Sequence, residues 1–435
     1  MPKLAGPAEM PPLSRSGESR VLMIAPYFPP VSVVGARRPL MLVRHLPRHG
    51  WHPVVLTGRP GLERTDPTLA DAIPAGIPVV REYGRSGAAR PPEAPQEPRE
   101  RRRPFFHWDA GYLTPLDRYL WSTPAAIRTA MRLVSEYRPR VIHVCADPWS
   151  PLLAGLSLHR RTGLPLVVDL RDPWSLQASK MALRPPPTRW AVRAIEARVL
   201  CAASKIVLNA GDSREAYVAA YRGRIPEERF TVVRNAFDLE LFHDEPVVPS
   251  RTFTVLHFGH FRRLVPGEPL LRGFARFVAQ AGLSPEMARL KLVGGVRDED
   301  RRIARELGLE SYLDCVPTIR YRQGLPLLRG ADVLALVSLG ANARVIPAKL
   351  YDYFAARRPI LAITDQAEPA RLVTGAGAGL AAPPDDPDRI AAALTELRGR
   401  VLGPGRGAVA EAAVAPFTAS VQAERFAAVL DEVAR

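Results

Sequence analysis

Residues 21–57 read VLMIAPYFPPVSVVGARRPLMLVRHLPRHGWHPVVLT, and three patterns follow one another along them. Val21–Ala25 is a short apolar run without periodicity, as in a strand covered on both faces. A proline-rich loop leads to Gly35. Residues 36–49 have helical spacing, with Pro39 near the first turn and Gly50 as the stop. Pro47 should distort the last turn, since it lacks an N–H and crowds the preceding carbonyl. Val54–Thr57 is the next strand. Strand, helix and strand in this order form a βαβ unit, the building block of a parallel sheet.

The pattern repeats. Val141–Cys145, a helix over Pro151–Arg161 closed by Gly163, and Leu166–Leu170 make a second unit. A helical stretch at 189–203, a strand at Ile206–Asn209, a helix at Ser213–Arg222 started by a serine cap and a strand at Thr231–Arg234 follow. After Pro246–Pro249, read as a hinge, the alternation restarts. It runs through strands Phe253–Phe258, Leu290–Val293, Val333–Val337 and Ile360–Ile363, with helices at Pro269–Ala281, Asp298–Leu307 and 347–356. Two such series predict an α/β protein of two doubly wound, Rossmann-like domains. The expected divisions are a floppy leader (1–19), a first domain (20–245), a second (246–415) and a final stretch (416–435) whose helix, Phe417–Arg435, crosses back to the first. Residues 81–104, rich in Pro and Arg, read as an exposed insertion.

Composition narrows the function classes. With 435 residues the chain exceeds the size at which one core stops growing, so two domains are the default. No uncharged apolar run reaches eighteen residues, which argues against a membrane span, and the first twenty residues lack the apolar core of a signal peptide. Cys145, Cys201 and Cys315 lie far apart in apolar stretches. That pattern suits a reducing cytoplasm rather than a disulfide framework or zinc site. The net charge of +16 favours anionic partners, whether nucleotide-sugars, nucleic acid or a membrane face, without choosing among them. A basic amino-acid bias explains it equally well.

Ligands of open parallel sheets bind beyond the carboxyl ends of the strands, so the loops there hold the candidates. In the first, Gly35 precedes a helix start suited to a phosphate or carboxylate, or is simply a turn glycine. No G-x-G-x-x-G or P-loop pattern occurs, which removes dinucleotide and P-loop readings. In the second, Asp169, Arg171 and Asp172 follow a strand. They could anchor a substrate hydroxyl or act as acid and base, or Arg171 could hold Asp172 in an internal salt bridge. Arg171 and Asp172 are the candidate catalytic pair, with Tyr27 and Asp147 as acceptor contacts. In the third, Gly259 would let a ligand approach, and Arg262 and Arg263 suit a diphosphate or form a solvated pair. In the fourth, Lys349 and Asp352 share a helix face. Lys349 would supply charge to a phosphate and Asp352 would accept both hydroxyls of a ribose; the plain alternative is an i,i+3 ion pair.

Residues 25–57 resemble the opening of GT-B glycosyltransferases of the retaining family 4 type. LPLVVDLRDPWS (164–175) and Asp117-Arg118-Tyr119-Leu120-Trp121 are similar to segments of the bacterial subset that glycosylates surface polysaccharides or secondary metabolites. VVRNAFDLELF (232–242) resembles the family's domain crossing, and IPAKLYDYFAARRPILAI (346–363) its donor-site helix. The resemblance implies the GT-B fold and retaining transfer of a sugar from a UDP- or GDP-type donor, with no metal or other cofactor expected. It places Gly35 by the pyrophosphate or acceptor, Arg262 and Lys349 at the diphosphate, and Asp352 at the ribose. Asp352 stands where the family has Glu, Arg344 where it has an earlier Glu, Ala236 where it has Gly, and Arg171 where many relatives have His.

The expectation is therefore a sugar transferase. The alternatives are a sugar-nucleotide epimerase on the same scaffold and a non-catalytic basic protein binding nucleic acid or membrane. No specific nucleic-acid partner is expected. The basic stretch at 81–104 could bring the first domain to an anionic membrane carrying a lipid-linked acceptor.

Overall fold

A computed structural model describes residues 19–61, 65–84, 110–146, 148–241, 247, 252–340, 344–404 and 407–435. Two wholly parallel sheets organise them. The first contains β1 (Ser19–Ile24), β2 (Trp51–Leu56), β3 (Val79–Val80), β4 (Val141–Cys145), β5 (Leu166–Leu170), β6 (Lys205–Leu208) and β7 (Phe230–Val232). Its spatial order is β3-β2-β1-β4-β5-β6-β7. The second contains β8 (Phe253–Phe258), β9 (Ala288–Val293), β10 (Leu313–Val316), β11 (Val333–Ser338), β12 (Ile360–Thr364) and β13 (Gly379–Ala382), in the order β10-β9-β8-β11-β12-β13. In each sheet the order reverses beside the first strand, between β1 and β4 and between β8 and β11. These two switch points are where such sheets open a ligand crevice.

The predicted strands appear, most of them with shifted ends. Three more strands, β3, β10 and β13, come from short or half-exposed runs that carry little periodicity. The opening helix runs over Arg37–His45 and then tightens into a 3-10 turn, Leu46–His49, at Pro47. Ser19, expected in the leader, pairs with Trp51 in the ladder. Residues 1–18 and most of the expected insertion, 85–104, lie outside the described residues. At the start of that insertion one residue turns inward: Tyr83 is fully buried and its hydroxyl meets that of Thr123 at 3.2 Å, although Glu82 beside it is exposed.

Apolar side chains cover both faces of each sheet, as expected of parallel strands. The helix Ala419–Val433 returns to the first sheet, where Ala423, Phe426 and Leu430 pack among Val21, Met23, Val141 and Val167. Trp51 donates to Asp431 at 2.8 Å and Lys205 pairs with Glu432. Among the described residues no helix is long and apolar enough to cross a membrane.

Candidate donor site between the two sheets

At the first switch point the chain leaves β1, and Gly35 faces a guanidinium and a ring. A Cβ on Gly35 would lie 2.8 Å from Arg171 Nη1 and 3.1 Å from Tyr27 Cδ2, so glycine leaves the space those groups use. Arg171 donates from Nε to the Ala146 carbonyl at 3.0 Å. Three of the sequence candidates are thus brought together on one wall. Asp172 follows, half-buried, and the loop after it is fixed from below. Buried Glu196 accepts from the Ser175 backbone N–H at 3.0 Å, from Tyr217 at 2.7 Å and from Tyr221 at 3.1 Å. Burial raises the Glu196 pKa, although the Ser175 and Tyr217 hydrogen bonds oppose it. Trp174 stacks on Trp149 at 4.9 Å. Asp147 lies outside the described residues.

Asp169 does not belong to this wall. Its carboxylate is fully buried and takes a hydrogen bond from Arg38 Nε at 2.7 Å. Burial alone would raise its pKa, but the Arg38 charge and His143 outweigh that and hold it at about 2. Arg38 also donates to the Arg234 carbonyl at 2.8 Å. The partner that Asp169 meets from the helix Arg37–His45, not its short spacing from Arg171, decides its role.

The opposite wall comes from the second sheet. β8 ends at Gly259, which adopts φ 118°, a conformation side chains resist. A Cβ there would come within 3.5 Å of Lys349 Nζ. Lys349 opens the helix Lys349–Ala356 and donates to Nε2 of His257 at 3.3 Å. Nδ1 of His257 faces the Ala335 carbonyl at 2.9 Å, so that nitrogen carries the hydrogen and Nε2 is the acceptor. Burial, reinforced by the Lys349 charge, holds His257 well below the usual imidazole range, so it stays neutral. Burial and the Arg262 charge likewise lower Lys349 to about 8. Arg262 closes a tight turn with Val265, and Arg263 sits exposed at its tip.

Asp352 is buried and both its oxygens are engaged. Oδ1 accepts from the Tyr321 hydroxyl at 2.7 Å, and Oδ2 from Arg37 at 3.1 Å across the cleft. Lys349, three residues earlier on the same helix, is not its salt-bridge partner, although the Asp352 charge favours the charged form of Lys349. The expected plain ion pair between the two is therefore not what forms.

Two groups bring three possible metal-ligating atoms together among the described residues. In His143–Cys145–Asp169 the Arg38 guanidinium already holds the carboxylate, and burial pushes the thiol up to about 12. In His45–Asp238–Glu240, Arg44 and Arg48 hold the two carboxylates. Neither group presents an open cation site.

Residues 35–236 match the glycosyl transferase 4-like domain, and residues 253–399 match the glycosyl transferases group 1 domain. The chain belongs to the family 4-like glycosyltransferases of the GT-B fold. No curated protein matches this glycosyltransferase in sequence. Solved structures share its fold at low identity. A glycosyltransferase from Rickettsia africae ESF-5 is 12% identical with a TM-score of 0.63, over 96% of this chain and 98% of that one. A sucrose-phosphate synthase from Thermosynechococcus elongatus is 18% identical with a TM-score of 0.58, over 96% of each. A UDP-GlcNAc 2-epimerase from Neisseria meningitidis bound to UDP-GlcNAc is 11% identical with a TM-score of 0.51, over 95% of this chain and all of that one.

Sequence reasoning missed Arg37, His257 and Tyr321. His257 sits inside an apolar strand, where a polar residue with no water to solvate it is itself a signal. Arg37 and Tyr321 carry no local signal, because what matters is the partner each meets from elsewhere in the chain.

Proposed function

We propose that this glycosyltransferase takes a sugar from a nucleoside-diphosphate sugar and transfers it with retention. The observation that supports this most is the Lys349 ammonium, held beside Arg262 with its pKa lowered to about 8. A buried ammonium that a nearby cation disfavours is stabilised by a diphosphate, and most by the charge it gains as the sugar leaves. In the step, the bond from sugar C1 to the diphosphate oxygen breaks and a bond from C1 to the acceptor oxygen forms on the same face. The acceptor's proton passes to the departing diphosphate. Asp352 would hold the ribose; Gly35, Arg171, Asp172 and Tyr27 would line the acceptor side. Calorimetric titration with UDP and GDP tests the donor site. Binding by one of them, weakened about tenfold or more but not lost in Lys349→Ala, is expected. Binding by neither would sink the reading. The anomeric configuration of the product, read by NMR, tests retention, and a free epimerised nucleotide-sugar formed without acceptor would favour the epimerase.

The acceptor we propose is a saccharide carried on an anionic membrane at its cytoplasmic face, as in polysaccharide assembly. The loop holding Arg171 and Asp172 runs into the helices Ala178–Ala182 and Pro186–Ala202, where Leu183 is 51% and Trp190 73% exposed. From Pro173 to Ile195 there is no acidic residue, whereas Lys180, Arg189 and Arg193 are basic; Arg184, also basic, is buried and turns inward to the Thr114 carbonyl. Exposed Trp and Leu among cations suit an anionic lipid surface. Flotation with phosphatidylglycerol vesicles should be lost in Trp190→Ser, and equal flotation with neutral vesicles would remove the idea.

A further inference from the structure

The carboxylate proposed for the donor's ribose is already in use. Asp352 lies almost wholly out of solvent, with Tyr321 on Oδ1 at 2.7 Å and Arg37 on Oδ2 at 3.1 Å. A carboxylate has further lone pairs, but with 6% of the side chain exposed there is little room for a diol beside both partners. A ribose diol can reach this group only if one of the two partners moves. Tyr321 belongs to the same domain as Asp352 and lies under the Arg37 guanidinium, whose carbon is 3.6 Å from the ring centre. Arg37 comes from the other domain, as the first residue of the helix Arg37–His45, and keeps 28% of its side chain exposed. Arg37 is the partner free to leave. Its neighbour Arg38 is committed elsewhere, buried against Asp169, so the two adjacent arginines have separate tasks.

We propose that Arg37 is a competitive clasp, holding the ribose-binding carboxylate across the cleft until the 2′,3′-diol of a donor replaces it. This rests on the donor-site reading given above. A site competent only when Arg37 is away binds more weakly by the fraction of time it is open. The penalty falls on the diol contact alone, so only nucleotides that make this contact gain when the clasp is removed. The clasp also ties empty-site closure to the same carboxylate that later grips the donor.

The experiment is calorimetric titration of wild-type and Arg37→Met protein with UDP and GDP and with their 2′,3′-dideoxy counterparts. Methionine keeps the apolar stem over Tyr321 and loses the charge. For whichever ribonucleotide binds, Arg37→Met should bind about tenfold tighter, the scale of one charge-assisted hydrogen bond no longer displaced. The dideoxy nucleotide should bind both proteins alike. Weaker or unchanged ribonucleotide binding overturns the clasp, and so does an equal gain for the dideoxy form. If Arg37→Met does not fold, Arg37→Leu, which also lacks a donor, carries the same expectation. Binding of no nucleotide to wild type or variant instead overturns the donor site itself, a result distinct from any failure of the clasp.

Discussion

At the scale of single residues, the most informative group is Lys349. Burial and the Arg262 charge bring its pKa to about 8, against 10.5 for a solvated lysine. A diphosphate favours the charged form, so its binding must raise that pKa again. Below pH 8 the proton is already present and affinity is flat. Above pH 8 each binding event takes up a proton, and affinity falls by up to about tenfold per pH unit. Titration of GDP or UDP between pH 7 and pH 9 should show this fall in wild type and a flat line in Lys349→Met. Folding has the opposite sign. Between pH 8 and 10.5 the unfolded lysine binds the extra proton, so this group's share of stability rises with pH. The charge and position of Lys349 could be read from the sequence. Its partner His257 could not, because only the fold stacks β8 beside the helix Lys349–Ala356.

At the scale of elements, local signals located most helices and strands but misjudged what finishes them. Ser213 reads as a good helix cap, yet the helix begins at Gly211, with Ala210 at the cap position and no side chain of its own to cap it. The missing cap comes from the second domain. Glu368 accepts from the Gly211 N–H at 2.7 Å and from the Asp212 N–H at 2.9 Å, and pairs with Arg234 at 2.6 Å. A carboxylate at a helix start meets both unsatisfied N–H groups and the helix dipole. Gly211 suits the approach, since a Cβ there would sit 3.2 Å from Glu368 Oε1. Ser213 instead donates to the Arg344 carbonyl at 2.6 Å, a second tie between the domains. No sequence window contains both halves of such a contact. Glu368→Ala should cost about 3 kcal/mol, because it strips a buried cap and leaves Arg234 unpaired. Chemical denaturation measures it. Glu368→Gln, which keeps an acceptor but loses the charge, should recover part of the loss, and an Ala variant as stable as wild type would refute the cap.

At the scale of the whole molecule, the two alternating series in the sequence predicted two sheets, and counted from its own first strand each runs 3-2-1-4-5-6, the first sheet adding a seventh strand at its edge. The sequence leads one to expect the last helix on the first domain, but not which side chains seat it there. Ala419–Val433 follows the second domain in the chain, yet its apolar face lies in the core of the first, where Phe426 is fully buried and meets the His143 ring edge-on at 4.7 Å. Phe237 and Thr418 form a bridge where the two crossing segments meet, so the chain passes between domains twice at one place. The helix therefore contributes its stability to the domain it touches, not the one it follows. Phe426→Ala removes a large side chain from a site surrounded by strands that cannot collapse around the gap, at a cost of about 3–5 kcal/mol. Scanning calorimetry with and without the nucleotide that binds tells the domains apart, because the nucleotide raises the transition of the domain carrying Lys349 and Asp352. The loss in Phe426→Ala should fall on the other transition, leaving the nucleotide-sensitive one in place. If the nucleotide-sensitive transition fell instead, the last helix would belong energetically to the second domain.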